Sequence, residues 1–441
     1  MPPSLIAVFS MVSKMSCYGT LSIKRMRIAA LSIILTVFLT SCGNNARQKD
    51  ANAGDSGLIN LPASTALSKA EIEKYRAGCQ AWFDTSLKSS GFNGGIIVAK
   101  KGNIIFEDYL GSAPFGSTDT ITANTSFHIA SVSKTFTAMA VLKLQEEGKI
   151  NIDDELVKYF PQFNYPGVTI RTLLNHRSGL PNYLYFFEKL KWDKKKFASN
   201  EDVLDYLVTK KPLLQNITRP NTHFAYCNTN YVLLALLIEK ITGVKYAPYL
   251  QQTIFKPLQM QHTFVFDTSM KDKVNRSYDW RGGLIPWDPF DAIYGDKNIY
   301  STVQDLLIWD KALNTNAIFA DSTLSEAYQP YSNEKPGVRN YGLGWRMNIY
   351  PDGKKMIYHN GKWHGNNAAF IRLIEDSATI IVLGNKFNRN IYHAREMAAL
   401  FGNYFGGSEE EETSTGKAAA VIKTDSSIPN ARQKKATSKK R

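Results

Sequence analysis

The sequence predicts a mixed α/β (α+β) fold in which an antiparallel sheet is flanked by helices. Three observations support this fold class. An amphipathic helix that begins after Ser68 is followed at once by a predicted hairpin at residues 94–106. Further strand-like runs, separated by turn residues, occupy residues 345–384. A helical pattern at 389–405 follows them, and we expect it to pack on the sheet beside the first helix.

The first helix is predicted from its start signal and its periodicity. Ser68 and Glu71 have the spacing of a capping box. The apolar residues that recur at helical spacing are Ile72, Tyr75, Cys79, Phe83 and Leu87. The β-rich runs that follow meet at Lys101-Gly102, and the chemistry of this pair predicts a hairpin turn.

The strands near the carboxyl end are predicted from β-rich runs bounded by turn residues. Pro351-Asp352-Gly353 and Glu375-Asp376 stand between runs, so neighbouring strands should be antiparallel. The predicted strands are residues 345–350, 355–359, 368–373 and 379–384.

The composition is that of a globular protein with no nucleic-acid partner. The chain has 441 residues, of which 44% are hydrophobic and 21% charged, which suffices for a large core. Its formal charge is +14, but residues 1–41 carry four basic side chains and no acidic ones, and residues 408–441 carry eight basic and five acidic ones. No basic block interleaved with stacking aromatics lies between them, so we expect no nucleic-acid binding.

The cysteines and histidines do not have the spacing of metal ligands. The four cysteines form no CxxC pair, and the seven histidines form no HExxH motif. We therefore predict neither a metal site nor a cofactor. Cys79 and Cys227 are expected to be buried free thiols.

The amino-terminal segment has the pattern of an export signal. Three basic residues within 24–27 precede the apolar run 28–39, which is short for a membrane span. The run ends in Leu39-Thr40-Ser41-Cys42, which resembles a bacterial lipobox, in which the cysteine becomes the lipidated first residue. A plain signal peptide is the alternative. We expect an exported protein that is anchored to a membrane of the bacterial cell envelope, on the periplasmic face or at the outer membrane.

These patterns divide the chain into four segments. Residues 1–41 are the predicted lipoprotein signal peptide, and 42–67 a flexible tether. Residues 68–405 are the predicted folded domain, to which the motifs described below assign catalysis, and 406–441, of low complexity and high charge, are predicted to be disordered.

The segment 128–148, HIASVSKTFTAMAVLKLQEEG, is a predicted helix that carries Ser131 and Lys134 in its first turn. Residues at i and i+3 share a helix face, so a hydroxyl and an amine meet there. Such a pair can form an activated nucleophile. The same SxxK spacing occurs at Ser332 and Ser414, but only Ser131 opens a helix with an apolar side.

Tyr226-Cys227-Asn228 lies between a short β-like run and a strongly apolar helix, 231–241, with Gly243 beyond it. This places Tyr226 and Asn228 at a strand-to-helix turn, from which side chains can project into a cleft. A core tyrosine followed by an asparagine N-cap is the other interpretation.

Taken in order, these segments resemble the serine β-lactamase and penicillin-binding-protein superfamily, in its class C β-lactamase-like branch. The resemblance covers about residues 90–390 and implies a β-lactamase/D,D-peptidase-like fold with a mostly helical subdomain at roughly residues 146–290. The segments that carry it are residues 128–154, 168–183, 224–243, 254–264, 341–345 and 358–366.

The resemblance also implies roles for individual residues. Ser131 would form an acyl-enzyme, and Lys134 together with Tyr226 would take the proton from its hydroxyl, with either one as the formal base. An unperturbed tyrosine has a pKa near about 10, and a neighbouring cation favours its phenolate. Asn228 would line the cleft.

His359-Asn360-Gly361 stands where the family carries Lys-Thr-Gly or a variant of it on a sheet-edge strand. Gly361 would let the backbone approach the substrate closely. The backbone N–H groups of Ser131 and Lys362 would form an oxyanion hole. His359 replaces a permanent cation with a side chain that is mostly neutral near pH 7.

The histidine variant is similar to that of D-aminopeptidases, D-alanyl-D-alanine peptidases and some esterases. We therefore expect a serine hydrolase that acts through an acyl-enzyme at Ser131 on D-amino-acid peptides, amides or esters in the cell envelope. Class C-type β-lactamase activity and a non-hydrolysing protein that binds envelope fragments or a partner are the alternatives. The expected partners are a small-molecule or peptide substrate, whether peptidoglycan-derived, ester or β-lactam, and a membrane reached through lipidated Cys42. We expect a monomer.

Overall fold

A computed structural model describes residues 57–405, and their strands form two antiparallel sheets. The strands are β1 (Gly94–Lys100), β2 (Asn103–Leu110), β3 (Phe127–His128), β4 (Phe264–Val265), β5 (Ile299–Ser301), β6 (Arg339–Tyr341), β7 (Arg346–Ile349), β8 (Lys355–Trp363), β9 (Asn366–Leu373) and β10 (Ala378–Gly384).

The main sheet has seven strands in the order β2-β1-β10-β9-β8-β7-β6, and neighbouring strands are antiparallel. This confirms the predicted antiparallel sheet. Lys101 and Gly102 form the predicted turn between β1 and β2, and their positive φ angles of 50° and 75° are typical of a type I′ turn. The second sheet has the order β3-β5-β4.

The predicted helix after Ser68 is confirmed together with its cap. The Ser68 side chain accepts a hydrogen bond from the Glu71 N–H, and the Glu71 carboxylate accepts from the Ser68 N–H. The α-helices are α1 (Lys69–Trp82), α2 (Ser133–Glu146), α3 (Ile170–Leu174), α4 (Tyr183–Lys189), α5 (Asn200–Thr209), α6 (Asn228–Thr242), α7 (Tyr246–Leu250), α8 (Val303–Leu313) and α9 (Asp321–Ala327).

Shorter helical segments connect these elements. Two π-helical segments, Phe83–Leu87 and Gln251–Phe255, continue α1 and α7. The carboxyl-terminal helical pattern forms a 3₁₀ helix, Arg389–Leu400, rather than an α-helix. The other 3₁₀ segments are Lys88–Ser90, Ala130–Val132, Leu156–Lys158, Lys211–Leu213 and Thr268–Met270.

Helices cover both faces of the main sheet, which explains why β1 and β10 are almost continuously buried and mostly apolar. In β1, Ile96 and Val98 point to the face covered by α1 and the 3₁₀ helix Arg389–Leu400. Tyr75 of α1 stacks on Phe401 with ring centroids 4.9 Å apart, so these two helical segments pack side by side as expected. Alternate β1 residues point to the opposite face, where α2, α6 and α8 form the larger core. Each large apolar side chain buried there contributes about 1.5–3 kcal/mol.

The described residues before α1 lie against the domain. The Ile59 N–H donates to the Pro257 carbonyl at 2.8 Å, and Leu61 packs on the larger core. These residues belong to the predicted tether, 42–67. The signal segment, Cys42 and the charged tail lie outside the described residues. Within 57–405, none of the helices combines the length and the apolar character that crossing a bilayer requires.

Candidate active site

Ser131 and Lys134 lie in contact, as their spacing predicts. Ser131 is in the 3₁₀ segment that leads into α2, so the α-helix begins two residues later than the serine. Lys134 is fully buried, and its Nζ lies 3.0 Å from Ser131 Oγ and 2.7 Å from the Asp296 carbonyl oxygen. The amine is therefore held at the hydroxyl by a backbone acceptor on another element.

The acceptor for Lys134 is itself fixed by a buried ion pair. Asp296 Oδ1 lies 3.5 Å from Lys297 Nζ, so these neighbours in sequence form a buried ion pair. The Tyr183 hydroxyl donates to Asp296 Oδ2 at 2.9 Å and accepts from Lys297 Nζ at 2.6 Å. Burial lowers the pKa of Lys297, and the surrounding carboxylates oppose this effect. These charged side chains position the Asp296 backbone.

Tyr226 covers the lysine amine. Its ring centroid lies 5.1 Å from Lys134 Nζ and 5.0 Å from the guanidinium carbon of Arg346. The buried ring of His176 lies 4.3 Å from the Tyr226 ring and accepts a hydrogen bond from the Cys227 N–H through Nδ1. The Tyr226 ring is therefore placed between two basic side chains, Lys134 and Arg346.

The prediction of a β-like run before Tyr226 is wrong. Residues 224–226 are irregular, and the Ala225 N–H donates to the His176 carbonyl rather than to a strand. The helix α6 also begins earlier than predicted, at Asn228, with Cys227 as its N-cap. Asn228 is thus not an N-cap, and its buried Oδ1 has no hydrogen-bond partner among residues 57–405, which leaves an acceptor two residues after Tyr226.

His359 is buried in β8 and neutral, as expected for a histidine in place of a lysine. Its Nδ1 lies 2.7 Å from the Asn360 carbonyl, which can only accept, so Nε2 accepts from the Tyr341 hydroxyl at 3.2 Å. Burial holds the pKa of His359 well below its usual value, and the positive charges of Arg346 and Lys134 add to this effect.

The half of β8 that carries the His359 motif is a local sheet edge. β8 continues to Trp363, beyond the predicted end at His359, so the motif lies within the strand. β7 pairs only with residues 355–358 of β8, whereas β9 pairs along its length to Trp363. Residues 359–363 therefore have a partner strand on one side and the Ser131 turn on the other.

Gly361 has a structural reason that the sequence did not reveal. A Cβ at this position would lie 2.2 Å from the Ile129 carbonyl oxygen and 3.1 Å from the Ala130 Cβ. The glycine therefore lets β8 pack against the turn that carries Ser131. The ammonium of Lys362 lies 5.5 Å from the Phe387 ring. The oxyanion-hole prediction concerns the backbone N–H of Lys362 and not this ammonium.

A buried hydrogen-bond chain connects the Ser131 turn with the hairpin after β8. His128 Nδ1 accepts from the Ala130 N–H at 3.1 Å, and its Nε2 donates to Asn298 Oδ1 at 2.9 Å. The Asn298 amide donates to the Asp291 carbonyl. Asp291 Oδ1 in turn accepts from Trp363 Nε1 at 2.6 Å and from His364 Nε2 at 2.9 Å. Both sides of the expected oxyanion hole are thus tied to one network.

The same network stabilises an unusual backbone conformation. Ala130, directly before Ser131, has φ +48°, in the left-handed region that costs a non-glycine residue about 1–2 kcal/mol. Its N–H is held by His128, and the Ile129 N–H donates to the Ile299 carbonyl at 2.9 Å. Strain held by surrounding bonds in this way is typical of functional sites.

Sequence reasoning missed Arg346, Tyr341 and the network around Asp291. Tyr341 is the first residue of the segment 341–345 and Arg346 directly follows it, so the available signal was a polar residue within or next to a recognised motif. No signal in the sequence indicated the network of His128, Asn298 and Asp291, because the spacing of these residues does not indicate that they contact one another. Among residues 57–405, no group of three or more His, Cys, Asp and Glu side chains is arranged to hold a metal ion.

A serine hydroxyl in contact with a buried amine, with a tyrosine beside them and a strand edge opposite, is the arrangement of hydrolases that transfer acyl groups through serine. The comparisons with known proteins define the family. A family model described as Beta-lactamase matches residues 80–401, and the chain therefore belongs to the β-lactamase and penicillin-binding-protein family of serine hydrolases.

Relatives and solved structures agree with this assignment. Penicillin-binding protein 4* of Bacillus subtilis (strain 168) is 32% identical over 348 residues, which are 75% of this chain and 76% of that protein. The crystal structure of a penicillin-binding protein from Bacillus halodurans aligns with a TM-score of 0.64 at 23% identity, over 72% of this chain and 99% of the other. The D-amino acid amidase from Ochrobactrum anthropi SV3 aligns with a TM-score of 0.59 at 22% identity, over 75% and 97% of the two chains. These two structures share the fold.

Proposed function

We propose that Ser131 is the nucleophile of an acyl-transfer reaction and that Lys134 and Tyr226 move its proton. The observation that carries the proposal is the 3.0 Å contact between Ser131 Oγ and Lys134 Nζ. One N–H of the amine is engaged by the Asp296 carbonyl, so the nitrogen is oriented toward the hydroxyl. The Tyr226 ring centroid lies 5.1 Å from the same nitrogen, so this tyrosine is the second candidate, and either residue can be the formal base.

The reaction proceeds in two halves. Ser131 Oγ attacks the substrate carbonyl, its proton passes to the Lys134–Tyr226 pair, and the backbone N–H groups of Ser131 and Lys362 stabilise the oxyanion, by a few kcal/mol per donor. The same pair then protonates the leaving group. Water hydrolyses the acyl-enzyme in the second half. Asn228, with its unpartnered Oδ1, contacts the substrate in the cleft.

The substrate class that we propose is D-amino-acid peptides, amides or esters of the cell envelope. His359 is neutral, so it supplies no charge for a substrate carboxylate. Arg346, on the strand next to β8 and 5.0 Å from the Tyr226 ring, supplies a permanent cation instead. The names of two similar proteins, a penicillin-binding protein and a D-amino acid amidase, support this class. The carboxylate of a β-lactam can use the same arginine, and this favours β-lactamase activity as the second candidate.

The test of the nucleophile is covalent labelling with a fluorescent penicillin or a fluorophosphonate. Wild type should be labelled, and Ser131→Ala should not. Ser325→Ala, at an exposed serine of α9, is the matched control and should label like wild type. The mass of the intact adduct and mapping of the labelled peptide exclude Ser332 and Ser414. Equal labelling of wild type and Ser131→Ala would refute the proposal.

The rates at which model substrates are hydrolysed rank the candidate substrate classes. A D-amino-acid amide, a short-chain aryl ester and a chromogenic cephalosporin are compared with wild type and with Arg346→Gln. We expect the amide or ester to be hydrolysed faster than the cephalosporin. Loss of the cation should raise KM for substrates with a carboxylate and leave neutral esters unaffected. Faster cephalosporin turnover would favour the β-lactamase. Labelling and turnover both absent from folded protein that still binds muropeptides would favour a non-hydrolysing binder.

We further propose export and lipid anchoring through Cys42, with the protein a monomer in the cell envelope. The basic residues before the apolar run 28–39 and the Leu39-Thr40-Ser41-Cys42 sequence support this. Cys42→Ala should release the protein from the membrane fraction, whereas Cys17→Ala should not. Membrane retention of both variants contradicts the anchor, and light scattering of the detergent-solubilised protein tests the monomer.

A further inference from the structure

A cavity of about 670 Å³ lies beside Tyr226, and of its lining residues only Arg346 has a role in the reaction described above. Its walls are formed by residues 223–224, residues 332–341 before and within β6, and Arg346 of β7. This volume is within the range of small-molecule binding pockets, about 300–1,000 Å³. The cavity is therefore large enough to hold part of a substrate.

The cavity is connected to the nucleophile through the side chains of Tyr226 and Lys134. Arg346 and Tyr341 line it, and both contact the Tyr226 ring, with the guanidinium carbon at 5.0 Å and the Tyr341 ring centroid at 6.3 Å. Tyr226 also approaches Lys134, the partner of Ser131, at 5.1 Å. In the proposed mechanism Tyr226 and Lys134 protonate the leaving group, so the cavity lies on the leaving-group side of the reacting bond.

The cavity combines an aromatic wall with a positively charged rim. The rings of Phe224 and Tyr341 lie 5.3 Å apart and give the apolar part. Lys335, Arg339 and Arg346 give the positive part. Glu334 is the one carboxylate among the lining residues, and it forms an ion pair with Arg177.

The charge around the cavity therefore favours an anion. The apolar wall favours a body that can be buried against aromatic rings.

We propose that this cavity binds an extended leaving group that has an apolar body and a negative charge distant from the reacting bond. The inference rests on the proposed function, since it assigns one side of the same reaction. Ser131 Oγ forms a bond to the acyl carbon as the bond from that carbon to the leaving nitrogen or oxygen breaks. The proton taken from Ser131 goes to the leaving atom, and the released group leaves through the cavity. The preferred substrates are thus larger than those that release a single small amino acid.

Two matched esters test the inference. Both carry N-acetyl-D-alanine as the acyl group, and their leaving phenols are 3-(4-hydroxyphenyl)propanoate and its methyl ester, which differ in one distant charge. The ratio of kcat/KM for the anionic ester to that for the neutral ester is measured in wild type, Lys335→Glu, Arg339→Glu and Lys189→Glu. Lys189 is an exposed lysine at a different cavity, so its variant has the same change of net charge as Lys335→Glu.

We expect wild type to prefer the anionic ester by at least about fivefold, the strength of one ion pair in solvent. The preference should fall by at least about fivefold in Lys335→Glu and Arg339→Glu and stay at the wild-type value in Lys189→Glu. Equal ratios in all four proteins would overturn the inference.

A fluorophosphonate separates this result from a failure of the proposed function. Where turnover is slow, the preference is measured instead by protection. The concentrations of the anionic and the neutral ester that protect Ser131 from fluorophosphonate labelling are then compared as a ratio. If wild type shows no Ser131 labelling at all, the proposed nucleophile is wrong and the inference falls with it. If Ser131 is labelled but the ratio is one in wild type, only the inference is wrong.

Discussion

Protonation of His128 should destabilise the fold, by an amount that follows from its position. The imidazole is buried and engaged at both nitrogens, and burial lowers its pKa to about 4. Asp291, Lys297 and His364 are the charged or titratable groups that act on it. In the unfolded chain the pKa of a histidine is near about 6.5. The unfolded state therefore binds a proton that the native state rejects, so the stability contribution is present above about pH 6.5 and is lost as the pH falls toward 4.

The size of the effect follows from about 1.4 kcal/mol per pKa unit. Between pH 7 and pH 5, His128 should reduce the free energy of unfolding by about 2 kcal/mol, and by about 3 kcal/mol at pH 4. His128→Gln removes the titration while its amide can still donate to Asn298. The assay is urea unfolding of wild type and variant at pH 7 and pH 5, and the variant should lose about 2 kcal/mol less than wild type. His223→Gln, at an exposed histidine, controls for the substitution itself. The same pH dependence in wild type and His128→Gln would refute the reasoning.

Two further predictions concern the turn and the network beside Ser131. Gly361→Ala places a Cβ 2.2 Å from the Ile129 carbonyl oxygen, so β8 must shift away from the turn, and labelling by fluorescent penicillin should slow by at least about 100-fold. Wild-type labelling by folded Gly361→Ala protein contradicts this. Asp291→Asn replaces two charge-assisted hydrogen bonds with neutral ones and should lower kcat about fivefold at unchanged KM. A change in KM alone would indicate that the network acts on substrate binding instead.

The features that the sequence predicts well are those decided by residues close together in the chain. The capping box of Ser68 and Glu71, the turn at Lys101-Gly102 and the contact of Ser131 with Lys134 each depend on spacings of four residues or fewer. Strand positions near the carboxyl end also follow from local β-rich runs, because helices cover both faces of the sheet and make those runs apolar.

The features that the sequence does not predict depend on what lies opposite in space. The run before Tyr226 has β-type residues but no partner strand, so it is irregular. β8 continues past His359 because β9 pairs with it as far as Trp363. Arg346 enters the site through strand pairing, since it is opposite Tyr358. The reason for Gly361 likewise became visible only with the Ile129 carbonyl in place.

The strand order of the main sheet also constrains how the chain folds. β1 pairs with β10, so Lys100 and Ala378 are neighbours although they are roughly 280 residues apart. At a ribosomal rate of about 5–20 residues per second, β10 is synthesised roughly 15–60 s after the β1–β2 hairpin, and only then can it pair with the second edge of β1. During that time the apolar edge of β1 is open to pairing with other chains. A chain that stops before β10 leaves β1 without this partner, so the main sheet can close only after β10 has been synthesised.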